Sequence, residues 1–252
     1  MLFNHAYLEE LGSGKLRIEE TLVRSELQRR GIGYSLYTKK RIQRRQLPLS
    51  HSDFIMGDMD SMHGAMHQLG IEIPVVDDYP LVLQEYMHRK TWRSTVGELI
   101  IRLDDDQSPP FFAKPAGRRK VFTGRVFAGP HDAGHLQRIS RTEAVMCSEI
   151  VRWTTEYRAF VIGSDLMALD HYSGDSTVEL DISAVRRAVA SFAGQKGAIA
   201  ACGLDFGVLD TGKTALVEAN DGFALGAYNV AAEPYTEVLL ARWAQLVAQH
   251  SE

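Results

Sequence analysis

ACGLDFGVLDTGKTALVEANDGFALGAY, residues 201–228, decides how the rest of the chain reads. Two short apolar runs, Leu204 to Leu209 and Ala215 to Ala219, flank Asp210-Thr211-Gly212, which predicts a β-hairpin with a Gly-containing turn. Acids sit inside those runs. Asp205 lies in the first strand, and Glu218 and Asn220 close the second. Residues two apart on a strand share a face, so Glu218 and Asn220 point one way, and one register of the hairpin would bring Asp205 beside them. Two carboxylates and an amide form an all-oxygen set that suits Mg²⁺; the competing reading is polar groups at strand ends near a turn. The tail that follows, with Gly222 and Gly226, implies a backbone that approaches something closely.

The 252 residues suffice for one large domain or two small ones in contact. A net charge of -4 gives no reason to expect nucleic acid or an anionic membrane as partner. Cys147 and Cys202 are too few for a disulfide scaffold or thiolate metal site and read as buried thiols in a reducing compartment. No apolar run reaches the ~18 residues that span a bilayer, and the N-terminus lacks signal-peptide features, so a cytoplasmic protein is expected. Aromatic residues near the C-terminus suit the core as well as a dimer interface, and the oligomeric state stays open.

From residue 1 to about 80, helix and strand signals alternate. Ile18, Leu22, Val23 and Leu27 mark a helix stopped by Gly31, and Ile32 to Tyr37 reads as a strand. Asp53 to Met56 reads as another. Met62, Ala65, Met66 and Leu69 mark a second helix before Gly70, and Ile71 to Val76 returns to a strand pattern. Such alternation predicts a small α/β unit on a parallel sheet. Gly12-Ser13-Gly14-Lys15 lacks the spacing of a phosphate loop, Gly31-Ile32-Gly33 follows a helix and reads as its stop, and His63 and His67 have no evident third metal ligand. Lys39 to Arg45 reads as a solvated basic run.

Pro80 to about Leu103 has a helical pattern, and Asp104 to Pro110 is a turn-rich connector. Phe111 to Pro115 is an apolar strand carrying Lys114, and Ala116 to Phe127 supplies Gly117, Arg118, Arg119, Lys120, Thr123, Gly124 and Arg125. A strand lysine followed by a cation-rich, small-residue loop points to phosphate, unless Lys114 simply reaches solvent from an edge strand. Val145 to Val151 reads as a strand leading into a connector. Tyr157 to Ile162 and Leu166 to His171 read as a hairpin turning at Gly163-Ser164. Arg158, in an otherwise apolar strand, either pairs with a carboxylate or reads a phosphate. Asp181 or Ser183 caps a helix with Val185, Ala188, Val189 and Phe192 inward, and a last helix runs from about Pro234 to Ala248.

A strand lysine, a loop of phosphate-binding type, a strand-to-connector hinge, a strand arginine and then Asp…Glu-x-Asn, in that order, resemble the ATP-grasp superfamily, and in particular its clade named for an arginine-to-lysine exchange. The resemblance covers roughly residues 80 to 232. It implies an α+β ATP-grasp fold: a pre-ATP-grasp α/β domain over 1–80, then an ATP-grasp domain over 81–252 that clamps nucleotide between antiparallel sheets. Within it, the nucleotide-clamping subdomain would span about 111–155, the Mg²⁺-binding subdomain about 156–232 and the closing helix 234–249. The resemblance assigns Lys114 to the α and β phosphates of ATP and Lys120, Thr123 and Gly124 to the closing loop. Ser148, Glu149, Ile150 and Val151 would hold adenine through backbone groups, Glu156 would lie near the ribose and Arg158 near the γ-phosphate. Asp205, Glu218 and Asn220 would hold Mg²⁺, and Gly222 to Tyr228 would border the acceptor. His171 and Tyr172 depart from relatives of other branches, which place a further cation after the hairpin.

The activity so implied is ATP-dependent ligation of a carboxylate to an amine, with Lys114 and Arg158 as the catalytic cations and a peptide, protein or small molecule as substrate. Phosphorylation turns the unreactive carboxylate into an acyl phosphate that an amine can attack, and the protein supplies positioning and charge neutralisation. Two alternatives make different predictions. A phosphotransferase would form ADP with no amine present, and a nucleotide-sensing module would bind ATP without forming ADP.

Overall fold

A computed structural model of the chain describes residues 3–75, 77–105, 107–117 and 121–250. Its first sheet is organised on a strand that the sequence reading above passes over, β1 (His5–Glu10), in which Ala6 and Leu8 are buried. Helix α1 (Ile18–Arg29) follows and ends at Gly31, whose φ of 69° makes it the stop expected of it. The chain continues through β2 (Tyr34–Thr38), the short α2 (Lys39–Gln43), β3 (Asp53–Met56) and α3 (Met59–Leu69), which Asp58 caps and Gly70 closes. The three strands pair in parallel with β1 in the centre, so this unit is α/β on a parallel sheet.

Two expectations need correcting. Residues 71–75 form no strand: the Ile71 amide turns back to the carbonyl of Met66 at 2.8 Å to finish the helix cap, and Pro74 has no N–H to give a ladder. Nor is 80–103 a single helix. A 3₁₀ turn (Leu81–Tyr86) leads to β4 (Thr91–Thr95), and only then comes α4 (Val96–Leu103). Thr91-Trp92-Arg93-Ser94-Thr95 is rich in β-branched and aromatic residues, and the Thr95 hydroxyl accepts from the Glu98 amide and so starts the helix there.

The second sheet contains β4, β5 (Phe111–Pro115), β6 (Arg125–Phe127) and β7 (Ala144–Glu149) in the order β4-β7-β5-β6, all antiparallel. The third comes from β8 (Trp153–Ile162), β9 (Asp165–Gly174), β10 (Ala201–Leu209) and β11 (Thr214–Asp221), ordered β11-β10-β8-β9 and also antiparallel. Helix α5 (Ile182–Ala193), capped by Asp181, buries Val185, Ala188, Val189 and Phe192 against Leu204, Phe206 and Val208 on the back of this sheet. The last helix, α6 (Ala232–Ala248), returns to the N-terminal unit. Trp243 is fully buried in that core, and its indole N–H donates to the carbonyl of Asp53 at 2.9 Å. No described helix is long and apolar enough to cross a membrane.

Candidate active site

The register of the β10–β11 hairpin sets Asp205 opposite Glu218 and Gly203 opposite Asn220, with a bulge after Asp205. The hairpin is closed at Gly212, whose φ of 80° suits glycine, and the Gly212 amide donates to the Leu209 carbonyl at 2.8 Å. This register gathers the three oxygen-bearing side chains. The Asn220 amide donates to Asp205 Oδ2 at 3.2 Å and to Glu218 Oε1 at 3.5 Å.

Each carboxylate also meets a cation. On β8, Arg158 is the cross-strand partner of Asp205 and grips it with two bonds of 2.7 Å, Nε to Oδ1 and Nη2 to Oδ2. Across the cleft, Lys114 on β5 reaches Glu218 Oε2 at 2.5 Å and Asp78 Oδ2 at 2.7 Å. Strand β5 lies between β7 and β6, and Lys114 is 15 % exposed, so it is not a lysine reaching water from an edge. The Lys114–Glu218 pair is therefore a bond between the second and third sheets.

Burial weakens the charged forms here, and partners restore them. It opposes the charge on Lys114, yet Glu218, Tyr79 and Asp78 outweigh it and raise the lysine's pKa. It pushes the Asp205 and Asp78 carboxyls upward despite Arg158 and Lys114 beside them. Burial likewise works against Arg158, whose pKa is nevertheless raised by Asp205.

An aromatic wall, not foreseen from sequence, flanks Arg158. The Tyr228 ring stacks on Tyr172 at 4.6 Å and lies 4.9 Å from the guanidinium carbon, and the Tyr172 hydroxyl donates to Glu156 Oε2 at 3.1 Å. Tyr228 has φ 51°, a conformation that a bulky side chain rarely adopts. Glu156 thus joins the same group. Gly222 packs against the chain's own β10: a Cβ there would strike the Ala201 carbonyl.

The remaining expected residues are dispersed. A Cβ on Gly124 would come within 2.8 Å of the Phe112 ring and 3.1 Å of Lys114 Cβ, so the loop's end lies on β5 beside the lysine. Thr123 is exposed, and Lys120 falls outside the described residues. Ser148 and Glu149 end β7, and Ile150 and Val151 begin the link to β8. There the Glu149 carboxylate accepts from the Lys90 amide at 2.9 Å, and Ile150 and Val151 line a cavity of about 500 Å³ with Leu209 and Lys213.

Sequence reasoning also missed Asp78, Tyr79 and the role of Arg89. The Ala219 amide donates to the Asp78 carbonyl at 2.9 Å, so residues 77–80 run along the free edge of β11. The Tyr79 ring carries Lys114 Nζ at 4.9 Å and the Arg89 guanidinium at 5.5 Å. Asp77-Asp78-Tyr79-Pro80, acids next to a ring ahead of a turn, was the available signal.

The donor set fits Mg²⁺ as an open site. Among the described residues no group of three or more His, Cys, Asp or Glu side chains is placed to hold a metal ion, so any site here draws on two carboxylates, an amide and outside ligands. Two carboxylates and one amide within bonding reach of each other are what a cation needs when it keeps waters and shares substrate phosphates.

No curated protein matches the chain by sequence. Residues 86–238 match the model of an ATP-grasp domain family, the second family of the arginine-to-lysine clade. The chain belongs to this ATP-grasp family. Solved structures with a similar fold include a RimK domain ATP-grasp protein from Sphaerobacter thermophilus, 16 % identical with a TM-score of 0.55 over 97 % of this chain and 99 % of that one. D-alanine–D-alanine ligase from Bacillus anthracis is 11 % identical with a TM-score of 0.55 over 99 % of each chain. The ATP-grasp ligase PsnB, complexed with a minimal precursor, is 12 % identical with a TM-score of 0.52 over 98 % and 99 %. At such identities the likeness is one of fold, and the fold is ATP-grasp.

Proposed function

We propose that the chain is an ATP-dependent ligase that joins a carboxylate to an amine through an acyl phosphate. The observation that carries this reading is the meeting of two sheets at Lys114 and Glu218, bonded through Asn220 to Asp205 and Arg158. Membership of the ATP-grasp family supports ATP as the phosphoryl donor. Two of the structural relatives are ligases, one of them bound to its precursor, which supports ligation and makes a peptide substrate part of the proposal.

In this reading Lys114 exchanges its carboxylate partners for the α and β phosphates. Arg158 faces the γ-phosphate, kept in orientation by Asp205 and Tyr228. Asp205, Glu218 and Asn220 would hold Mg²⁺, which supplies charge neutralisation to the transferring phosphoryl group. Backbone groups of 148–151 would hold adenine and Glu156 the ribose. Residues 116–125, with Lys120, Thr123 and Gly124, would close and keep water from the acyl phosphate. Burial pushes the Cys147 and Cys202 thiols up to about 12, so neither is a reactive thiolate, and the cytoplasm is the proposed location.

The test is Mg²⁺-dependent ADP release by wild type and Glu218→Ala with pooled carboxylates, amino acids, peptides and amines, followed by mass spectrometry. A ligase gives ADP only when a carboxylate and an amine are both present, with a product lighter than its reactants by one water. ADP formed without an amine would identify a phosphotransferase instead.

A further inference from the structure

A cavity of about 510 Å³ lies between α3, residues 74, 75 and 77–80, the end of α5 and the end of β11 with the residues that follow it. It shares Asp78 and Asn220 with the Lys114–Glu218 group, so one end opens on the bonded set described above. We propose that this cavity is the acceptor site and that it takes a primary amine on an apolar body, with the ammonium directed to Asp78. The proposal deepens the ligase reading and rests on it for the chemistry that follows binding.

Size, lining and charge each contribute. The volume falls within the ~300–1,000 Å³ of small-molecule pockets. Phe192, Ile199, Phe223 and Pro74 supply apolar wall, which favours burial of a hydrocarbon or aromatic body. Asp78 and Asn220 mark the shared end. There the ammonium of Lys114 stands between two carboxylates, Asp78 and Glu218. Asp221, also in the lining, is already neutralised by Arg242 through bonds of 2.6 and 2.7 Å. Lys196 and Asp77 are both exposed and offset each other. A carboxylate entering this cavity would meet the like charge of Asp78, whereas an ammonium would meet an opposite one. When Lys114 turns to phosphate, Asp78 loses its present partner, and the ammonium of the acceptor replaces it.

The experiment measures binding without turnover. Three probes of one shape, 2-phenylethylamine, 2-phenylethanol and 3-phenylpropionate, are titrated into the full chain in the presence of Mg²⁺ and a non-hydrolysable ATP analogue, which draws Lys114 from Asp78, and followed by NMR shifts of methyl groups at Ile199 and Ala219. The amine is expected to bind at least about tenfold more tightly than the other two, and Asp78→Asn to remove that preference. Val75→Trp, at an exposed lining position, and Ile199→Trp narrow the cavity and are expected to weaken the amine about tenfold or more. Equal binding of alcohol or carboxylate overturns the choice of an amine. Absence of binding by all three, or shifts unaffected by both tryptophan variants, overturns the site. ADP release with pooled substrates, run on the same preparation, separates these failures from failure of the ligase reading.

Discussion

Arg158 and Asp205 are direct cross-strand partners on β8 and β10, and the guanidinium fork fits the carboxylate with two bonds of 2.7 Å. Both are buried, Arg158 at 6 % and Asp205 at 2 % exposure. Gly203 permits this arrangement, because a Cβ there would stand 3.3 Å from Arg158 Cδ and within 2.9 Å of Leu225. A pair so placed fixes the geometry of the cleft floor, since neither partner can leave without stranding the other's charge.

Removing one member should therefore cost more stability than removing both. Arg158→Met or Asp205→Leu is expected to destabilise by about 3–5 kcal/mol, the usual cost of an uncompensated buried charge. The double variant Arg158→Met, Asp205→Leu should lose less than either single change. Urea unfolding measures all three, and single-variant costs that simply add would show that the pair is not coupled.

Lys114 and Glu218 should separate in their response to Mg²⁺. Lys114→Met is expected to slow ADP release on the order of 10²-fold with an unchanged Mg²⁺ midpoint, because it removes the cation proposed to face the phosphates. Glu218→Gln keeps shape and loses charge, so it should slow release similarly and also raise the Mg²⁺ concentration required. An unmoved midpoint in Glu218→Gln would remove Glu218 from the metal site.

The contrast between Glu218 and Asp78 shows what the sequence makes legible. Asp205, Glu218 and Asn220 sit in one hairpin, where a period of two and a Gly turn nearly fix the register, so their convergence could be read from spacing. Lys114 stands on a strand whose limits, Phe111 to Pro115, are plain in the sequence. Asp78 and Tyr79 belong to no regular element, and their place along β11 depends on a long-range bond from the Ala219 amide to the Asp78 carbonyl. Local pattern carries no such information. Strand β1 was obscured for a different reason: Glu9 is 3 % exposed, held there by Arg17 at 2.7 Å and the Asp58 amide at 2.7 Å, so an inward acid broke the expected alternation.

The N-terminal unit should lose stability in acid through Glu26. Arg29, and then Arg30, hold this carboxylate down to about 2 from the ordinary 4.5, with bonds of 2.6–2.7 Å. Its folded-state pKa is lowered, so its contribution is fully present above pH 4.5 and is lost as pH falls from there through about 2. Urea midpoints between pH 6 and 2.5 should fall more steeply in wild type than in Glu26→Gln across that window. Parallel curves would show that Glu26 does not set the acid limb.

Arg89 is expected to matter for the metal site without touching it. Its guanidinium donates to the carbonyls of Leu216 at 2.6 Å, Val217 at 2.7 Å and Met87 at 3.2 Å, between the rings of Tyr79 and Trp153. Burial pulls its pKa down, so the three carbonyls and two ring faces are what keep it in place. Leu216 and Val217 lead directly into Glu218, and the fork therefore sets the path of β11 at its metal-facing end. A lysine at 89 offers one ammonium and cannot reproduce the planar fork. Arg89→Lys should cost about 1–3 kcal/mol, the usual range for polar groups left unpaired, and should raise the Mg²⁺ midpoint of ADP release well below the melting temperature. If stability falls and the midpoint does not move, Arg89 supports the strand alone. If the midpoint moves with it, the position of Glu218 depends on two backbone carbonyls held from the segment that links the N-terminal unit to the second sheet.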